Sequence, residues 1–106
     1  MNVTYTEKAK EFNEANSYLR QATGYLEEVL GQSADLVNAE WDRTTDDKGR
    51  SLYTLHISDW TGEASAIFDL HELKSAERMR VRLYRLWGEV LQTRVNKAFQ
   101  KINEDW

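Results

Sequence analysis

The sequence predicts an α+β domain of order α-β-β-β-α: a three-stranded antiparallel meander with two long helices packed on one face. Three observations carry that expectation. Apolar residues recur every three to four positions over residues 5–30 and again from Ser75 to about Glu104, as on amphipathic helices. Between them the period falls to two in three runs, 35–43, 51–59 and 63–69, as in half-buried strands. Short polar stretches join these runs, so consecutive strands pair antiparallel. A chain of 106 residues is one domain, 1–106.

In the first helix, Phe12, Leu19, Ala22, Leu26 and Val29/Leu30 make the apolar face, with Tyr18 and Tyr25 at its border. Thr4 and Glu7 have the T-x-x-E spacing of a capping box, and Gly31 stands where a left-handed cap would end the helix. The first strand turns Val37, Ala39 and Trp41 inward. Residues 43–50 are a polar hairpin loop. The second strand turns Tyr53, Leu55 and Ile57 inward, and Asp59-Trp-Thr-Gly-Glu63 is a tight turn with Gly62 free to take a positive φ. The third strand turns Ala64, Ala66 and Phe68 inward. Residues 70–74 lead into the second helix, which Ser75 caps while Glu77 sits near the positive end of the helix dipole. Its apolar positions run Met79, Leu83, Leu86/Trp87, Val90/Leu91, Val95, Ala98/Phe99, Ile102 and Trp106.

The length of that helix is the most informative feature. At 1.5 Å per residue it reaches roughly 43 Å, whereas an eight-residue strand spans about 27 Å. Placed at 100° per residue, the Met79–Val90 set and the Val95–Trp106 set face directions roughly a third of a turn apart. The N-terminal half can cover the sheet while the C-terminal half faces away from it. Val95, Phe99, Ile102 and Trp106 are therefore expected to meet a protein partner or a second copy, with a twofold homodimer the commonest form. The alternative is that the first helix, nearly as long, covers them within one molecule. Gly88, inside this helix, costs about 1 kcal/mol relative to alanine. It marks either a close approach by another backbone or a tolerated weakness. A second candidate surface is the outer sheet face, where Leu36, Leu52, Trp60 and Ile67 interrupt an otherwise polar pattern.

Composition limits the functional classes. The chain is 41% hydrophobic and 30% charged, which suits a folded domain, and no apolar run approaches the length of a membrane span. It lacks cysteine, which removes disulfides and thiolate chemistry and makes a cytoplasmic setting the simplest. The net charge of −4 argues against nucleic acid and anionic lipid as partners. The charge is uneven: residues 76–106 carry seven Lys/Arg against four acids. Within them Arg78, Arg82 and Arg85 share one helix face, a candidate anion-binding site for phosphate or RNA, set against the plainer reading of a solvated face neutralised by acids such as Glu72, Asp69 or Glu89.

No phosphate-cradling glycine run, nucleophile elbow or H-E-x-x-H is present. His56, Asp59 and His71 could serve a cofactor-free enzyme, and Asp69, His71 and Glu72 lie close in sequence without a metal-ligand spacing. The expectation is a non-enzymatic interaction module with no cofactor and no metal. In element order alone the chain resembles the double-stranded-RNA-binding domain. That resemblance implies contacts from the start of the second helix, but the family's lysine-rich KKxAK segment is replaced here by Ser75-Ala-Glu-Arg-Met-Arg80.

Overall fold

The computed structural model describes residues 1–11, 13–60 and 62–104, with the side chains of Asn13 and of residues 101–104 left aside. Its elements are β1 (Asn2–Tyr5), α1 (Glu7–Lys10), α2 (Asn13–Leu30), a 3-10 segment (Gly31–Leu36), β2 (Asn38–Thr45), β3 (Ser51–Ser58), β4 (Glu63–Asp69), α3 (Leu70–Leu73) and α4 (Ala76–Glu104). The class is α+β. The sheet, however, is mixed and four-stranded, in the order β1-β2-β3-β4.

The added strand corrects the reading of the N-terminus. Residues Asn2–Tyr5 pair parallel to Asn38–Trp41, and the meander of β2, β3 and β4 follows as expected. Val3 and Tyr5 turn half-buried toward the core while Asn2 and Thr4 do not, a period of two that suits a strand. Thr4 is therefore in β1, and the helix cap lies two residues later. Thr6 Oγ1 accepts from the Ala9 N–H at 3.3 Å and donates to Asp42 Oδ1 at 2.7 Å, tying the start of α1 to β2. These bonds, with that from the Arg43 N–H, hold the Asp42 carboxyl below its ordinary value of 3.8. A leading strand also removes the element order shared with the RNA-binding domain.

Gly31 does take a positive φ, 55°, but the chain continues as a 3-10 turn, so β2 begins at Asn38 rather than near residue 35. Residues Leu70–Leu73 form a short helix, whose first turn is capped by Asp69 accepting from the Glu72 N–H at 2.7 Å. Ser75 caps α4 as expected, accepting from the Arg78 N–H at 3.3 Å.

All the inward strand positions read from the sequence are on the core side: Val37, Ala39, Trp41, Tyr53, Leu55, Ile57 and Phe68 are buried, and Ala64 and Ala66 pack against them. Ala15, Leu19, Ala22, Leu26 and Leu30 come from α2, and Met79, Leu83, Leu86 and Val90 from α4. Each fully buried large side chain contributes on the order of 1.5–3 kcal/mol. Phe12, placed on this face from the sequence, lies outside the described residues. Trp41, with no exposed surface, centres the core; its ring lies 5.9 Å from that of Phe68. Its Nε1–H donates to Thr23 Oγ1 at 3.0 Å. Thr23 in turn donates to the Leu19 carbonyl at 2.8 Å and meets the Tyr5 hydroxyl at 3.2 Å, so one buried hydroxyl links β1, β2 and α2 with its full hydrogen-bonding capacity used.

The two long helices run in the same direction. Lys74 pairs with Glu14 and lies over the Tyr18 ring; one turn into α4, Arg80 pairs with Glu28 and lies 4.6 Å over the Tyr25 ring. Eighteen residues side by side with 29 leave the far end of α4 without α2 beside it.

Candidate functional site

What fixes α4 in place is the tip of the β3–β4 hairpin. Asp59 accepts from the Gly62 N–H at 2.8 Å and forms an ion pair with Arg94, its own side chain 2% exposed. Gly62 rests directly on the helix: a Cβ there would lie 2.9 Å from the Val90 carbonyl oxygen. Here the close approach that only glycine permits is real. Arg94 also spans the Trp87 ring at 6.0 Å.

Beyond this clamp, α4 is bare. Among the described residues Val90 is the last core residue of the helix, and everything described from Val95 to Gln100 is exposed. Val95 is 57% and Phe99 65% exposed, and Leu91 is also in water. The alternative, cover by the first helix, is not formed because α2, parallel to α4, ends before reaching them. Ile102 lies on the described helix, but its side chain, like all of Trp106, is outside the described residues.

The exposed apolar face extends further back than the sequence reading placed it. Val81 and Tyr84 are exposed too. At 100° per residue, Val81, Tyr84, Leu91, Val95 and Phe99 fall within roughly 80° of one another, on the side opposite Met79, Leu83, Leu86 and Val90. The helix thus has two apolar faces, one in the core and one in water. Val81 and Tyr84 were hidden in the sequence by their neighbours Leu83 and Leu86, which complete the core pattern alone.

The outer-sheet candidate is not one patch. Leu36 precedes β2 at the end where Asn38 pairs with Ser58, and Trp60, 82% exposed, follows β3 at that same end. Leu52 and Ile67 are diagonal neighbours at the other end. Thr54, His56 and Ser58 separate the two pairs along β3, each partly exposed and polar. A surface joining all four residues is not formed.

The arginine face is divided as well. Arg82 pairs with Glu72, donates to the Ile67 carbonyl at 3.0 Å and lies 4.6 Å over the Phe68 ring. Its role is to close the edge of β4 and join it to α4. Arg78 and Arg85 are exposed, and with Glu72, Glu77, Val81 and Arg82 they line a shallow groove. Two acids in the same groove offset its positive charge.

The histidines do not converge. On the outer sheet face, His56 Nδ1 lies 2.6 Å from Ser65 Oγ and Nε2 lies 3.4 Å from Glu63. This is a solvated cross-strand row. His56 also lines, with Asn2, Thr4, Asn38, Glu40 and Ser58, a shallow open depression over β1, β2 and β3 that gathers neither Asp59 nor His71. Asp59 belongs to the helix clamp, His71 is exposed on α3, and Asp69 is occupied in capping α3. Among the described residues no group of three His, Cys, Asp or Glu is placed to hold a metal ion, and no helix is long and apolar enough to cross a membrane.

The fold and surface define an α+β protein whose conspicuous feature is a clamped helix with a wet apolar face. Comparison with protein-family models, with curated proteins and with solved structures finds no match to this chain.

Proposed function

We propose that this protein is a small cytoplasmic, non-enzymatic interaction module that associates with a second copy of itself through the distal half of α4. The single observation that supports this reading is the exposure of Leu91, Val95 and Phe99 on one side of a helix that has outrun its own core. Tyr84 and Phe99 each leave about two thirds of their surface in water. With ring side chains of 150–250 Å², that is roughly 270 Å² from two residues, already near the size of the largest patch on an ordinary monomer. Burying it against a like surface gains more than leaving it solvated. The net charge of −4 is small enough that self-repulsion does not oppose pairing.

Sedimentation velocity at micromolar concentration tests the reading. The wild-type chain sediments as a dimer, and Val95→Glu with Phe99→Glu converts it to a monomer with the same circular dichroism. A monomer across the whole concentration range removes the proposal. Anion binding through Arg78, Arg82 and Arg85 is the weaker reading, since Arg82 is already engaged by Glu72.

A further inference from the structure

Resting on the self-association just proposed, we infer that the two copies pair α4 against α4 in antiparallel orientation, crossing on a twofold axis at Gly88. Three observations lead there.

The first is spacing. Val81, Tyr84, Gly88, Leu91, Val95 and Ala98 follow one another at three, four, three, four and three residues, and all six are exposed. This is the a/d heptad seam by which one helix packs along another. The seam is a separate pattern from the core face of the same helix. It begins at the first turns of α4 and continues past Arg94.

The second is Gly88 itself. A side chain there would meet nothing within 4 Å, so nothing inside the molecule requires a glycine. The residue weakens the helix and gains no internal contact in return. It sits at the middle of the exposed seam, where a missing side chain lets a second helix approach near the short end of the usual 8–10 Å interaxial range. Flanking it are Tyr84 and Leu91, then Val81 and Val95, at near-equal distances on either side. A twofold axis at Gly88 therefore sets glycine on glycine, Tyr84 on the partner's Leu91, and Val81 on the partner's Val95.

The third is charge. On the side of positions 78, 85, 92 and 99 the margin of the seam is cationic in its first half (Arg78 and Arg85) and uncharged in its second (Gln92 and Phe99), while Arg94 on the other side is paired with Asp59. A parallel pair would set Arg80 near the partner's Arg85, cation against cation. The antiparallel pair sets Arg85 against the partner's Gln92 and brings Arg78 alongside the partner's Phe99 ring, where a guanidinium stacks favourably. Arg80 is in addition held toward α2 by Glu28.

Because the chain has no cysteine, introduced ones report the geometry without background. Three single-cysteine preparations are oxidised mildly at a concentration where the wild type is dimeric: Gly88→Cys, Val95→Cys, and an equimolar mixture of Val81→Cys with Val95→Cys. Disulfides form only between Cα atoms about 4.4–6.8 Å apart. The expected result is cross-linking of Gly88→Cys with itself and of Val81→Cys with Val95→Cys in the mixture, and none in Val95→Cys alone. Gly88→Leu, which has open space in the monomer, should stay folded and weaken the dimer at least tenfold. Cross-linking of Val95→Cys with itself, with no mixed disulfide between positions 81 and 95 in the mixture, would mean a parallel pair and overturn the inference while leaving self-association intact. So would a wild-type dimer in which neither Gly88→Cys nor the mixture cross-links. A wild type that stays monomeric overturns both.

Discussion

Two glycines in this protein do opposite things, and single substitutions separate them. Gly62 lies against the backbone of α4, and a methyl group 2.9 Å from the Val90 oxygen has no flexible neighbour to push aside. Gly62→Ala should lower stability by about 1–3 kcal/mol through overpacking, read as a lower urea midpoint at unchanged slope. Gly88→Ala meets open space, so at concentrations where the chain is monomeric it should raise stability by up to about 1 kcal/mol. The same substitution at the two sites thus shifts the midpoint in opposite directions. Asp42 sets part of the acid limit. Hydrogen bonds from Thr6 and the Arg43 N–H lower its folded-state pKa below 3.8, so its contribution is present above that value and is lost as pH falls through the lowered pKa. Asp46, held low first by the Arg50 N–H, acts in the same sense. Urea midpoints measured from about pH 5 downward should fall less steeply for Asp42→Asn than for the wild type, with the wild type the more stable at pH 5.

At the scale of elements, the fold rests on one hydroxyl and one hairpin tip. Thr23→Val keeps the volume of the side chain but removes the acceptor for Trp41 Nε1–H and for the Tyr5 hydroxyl. Leaving a buried donor unpaired costs about 1–3 kcal/mol. The loss should appear as faster amide exchange in β1 and the first half of β2, ahead of β4, which has no link to this hydroxyl. The elements that sequence reasoning located are those whose information is local. Trp41, Tyr53 and Phe68 declare their faces by alternation with polar neighbours, and Ser75 declares a helix start. What it missed is nonlocal. Asn2–Tyr5 is four residues long, and Tyr5 also fits the helical pattern that follows; its strand character comes from pairing with β2, more than thirty residues away. Leu36 and Val37 alternate as a strand would, yet Leu36 belongs to the 3-10 segment that follows the positive φ of Gly31. The clamp of Asp59 on Arg94 joins residues 35 apart, and no local pattern announces it.

For the whole molecule, the same contrast governs the candidate surface and leads to a thermodynamic expectation. Val95 and Phe99 could be read from the sequence because helix length is local arithmetic. The split of Leu36, Leu52, Trp60 and Ile67 into two ends of the sheet could not, because it depends on strand register. The protein measures 52 Å along its longest axis, against about 43 Å for α4 alone. Everything described from Val95 to Gln100 is exposed, so the far end of that helix is solvated in the isolated chain. If the exposed face is covered by a second copy, folding and association are linked, and the melting temperature must depend on protein concentration. Well above its dissociation constant the dimer gains on the order of 1–3 kcal/mol over the monomer, which for a domain near 100 residues is a rise of several degrees. Val95→Lys with Phe99→Lys removes apolar area from positions already in water, so it should leave the low-concentration melting temperature within about a degree of the wild type. It should also abolish the concentration dependence. Parallel melts of both proteins over a hundredfold dilution series decide the matter: identical, flat curves for the two would show that the far end of α4 contributes nothing to a homomeric contact, and a rise confined to the wild type would place the contact there.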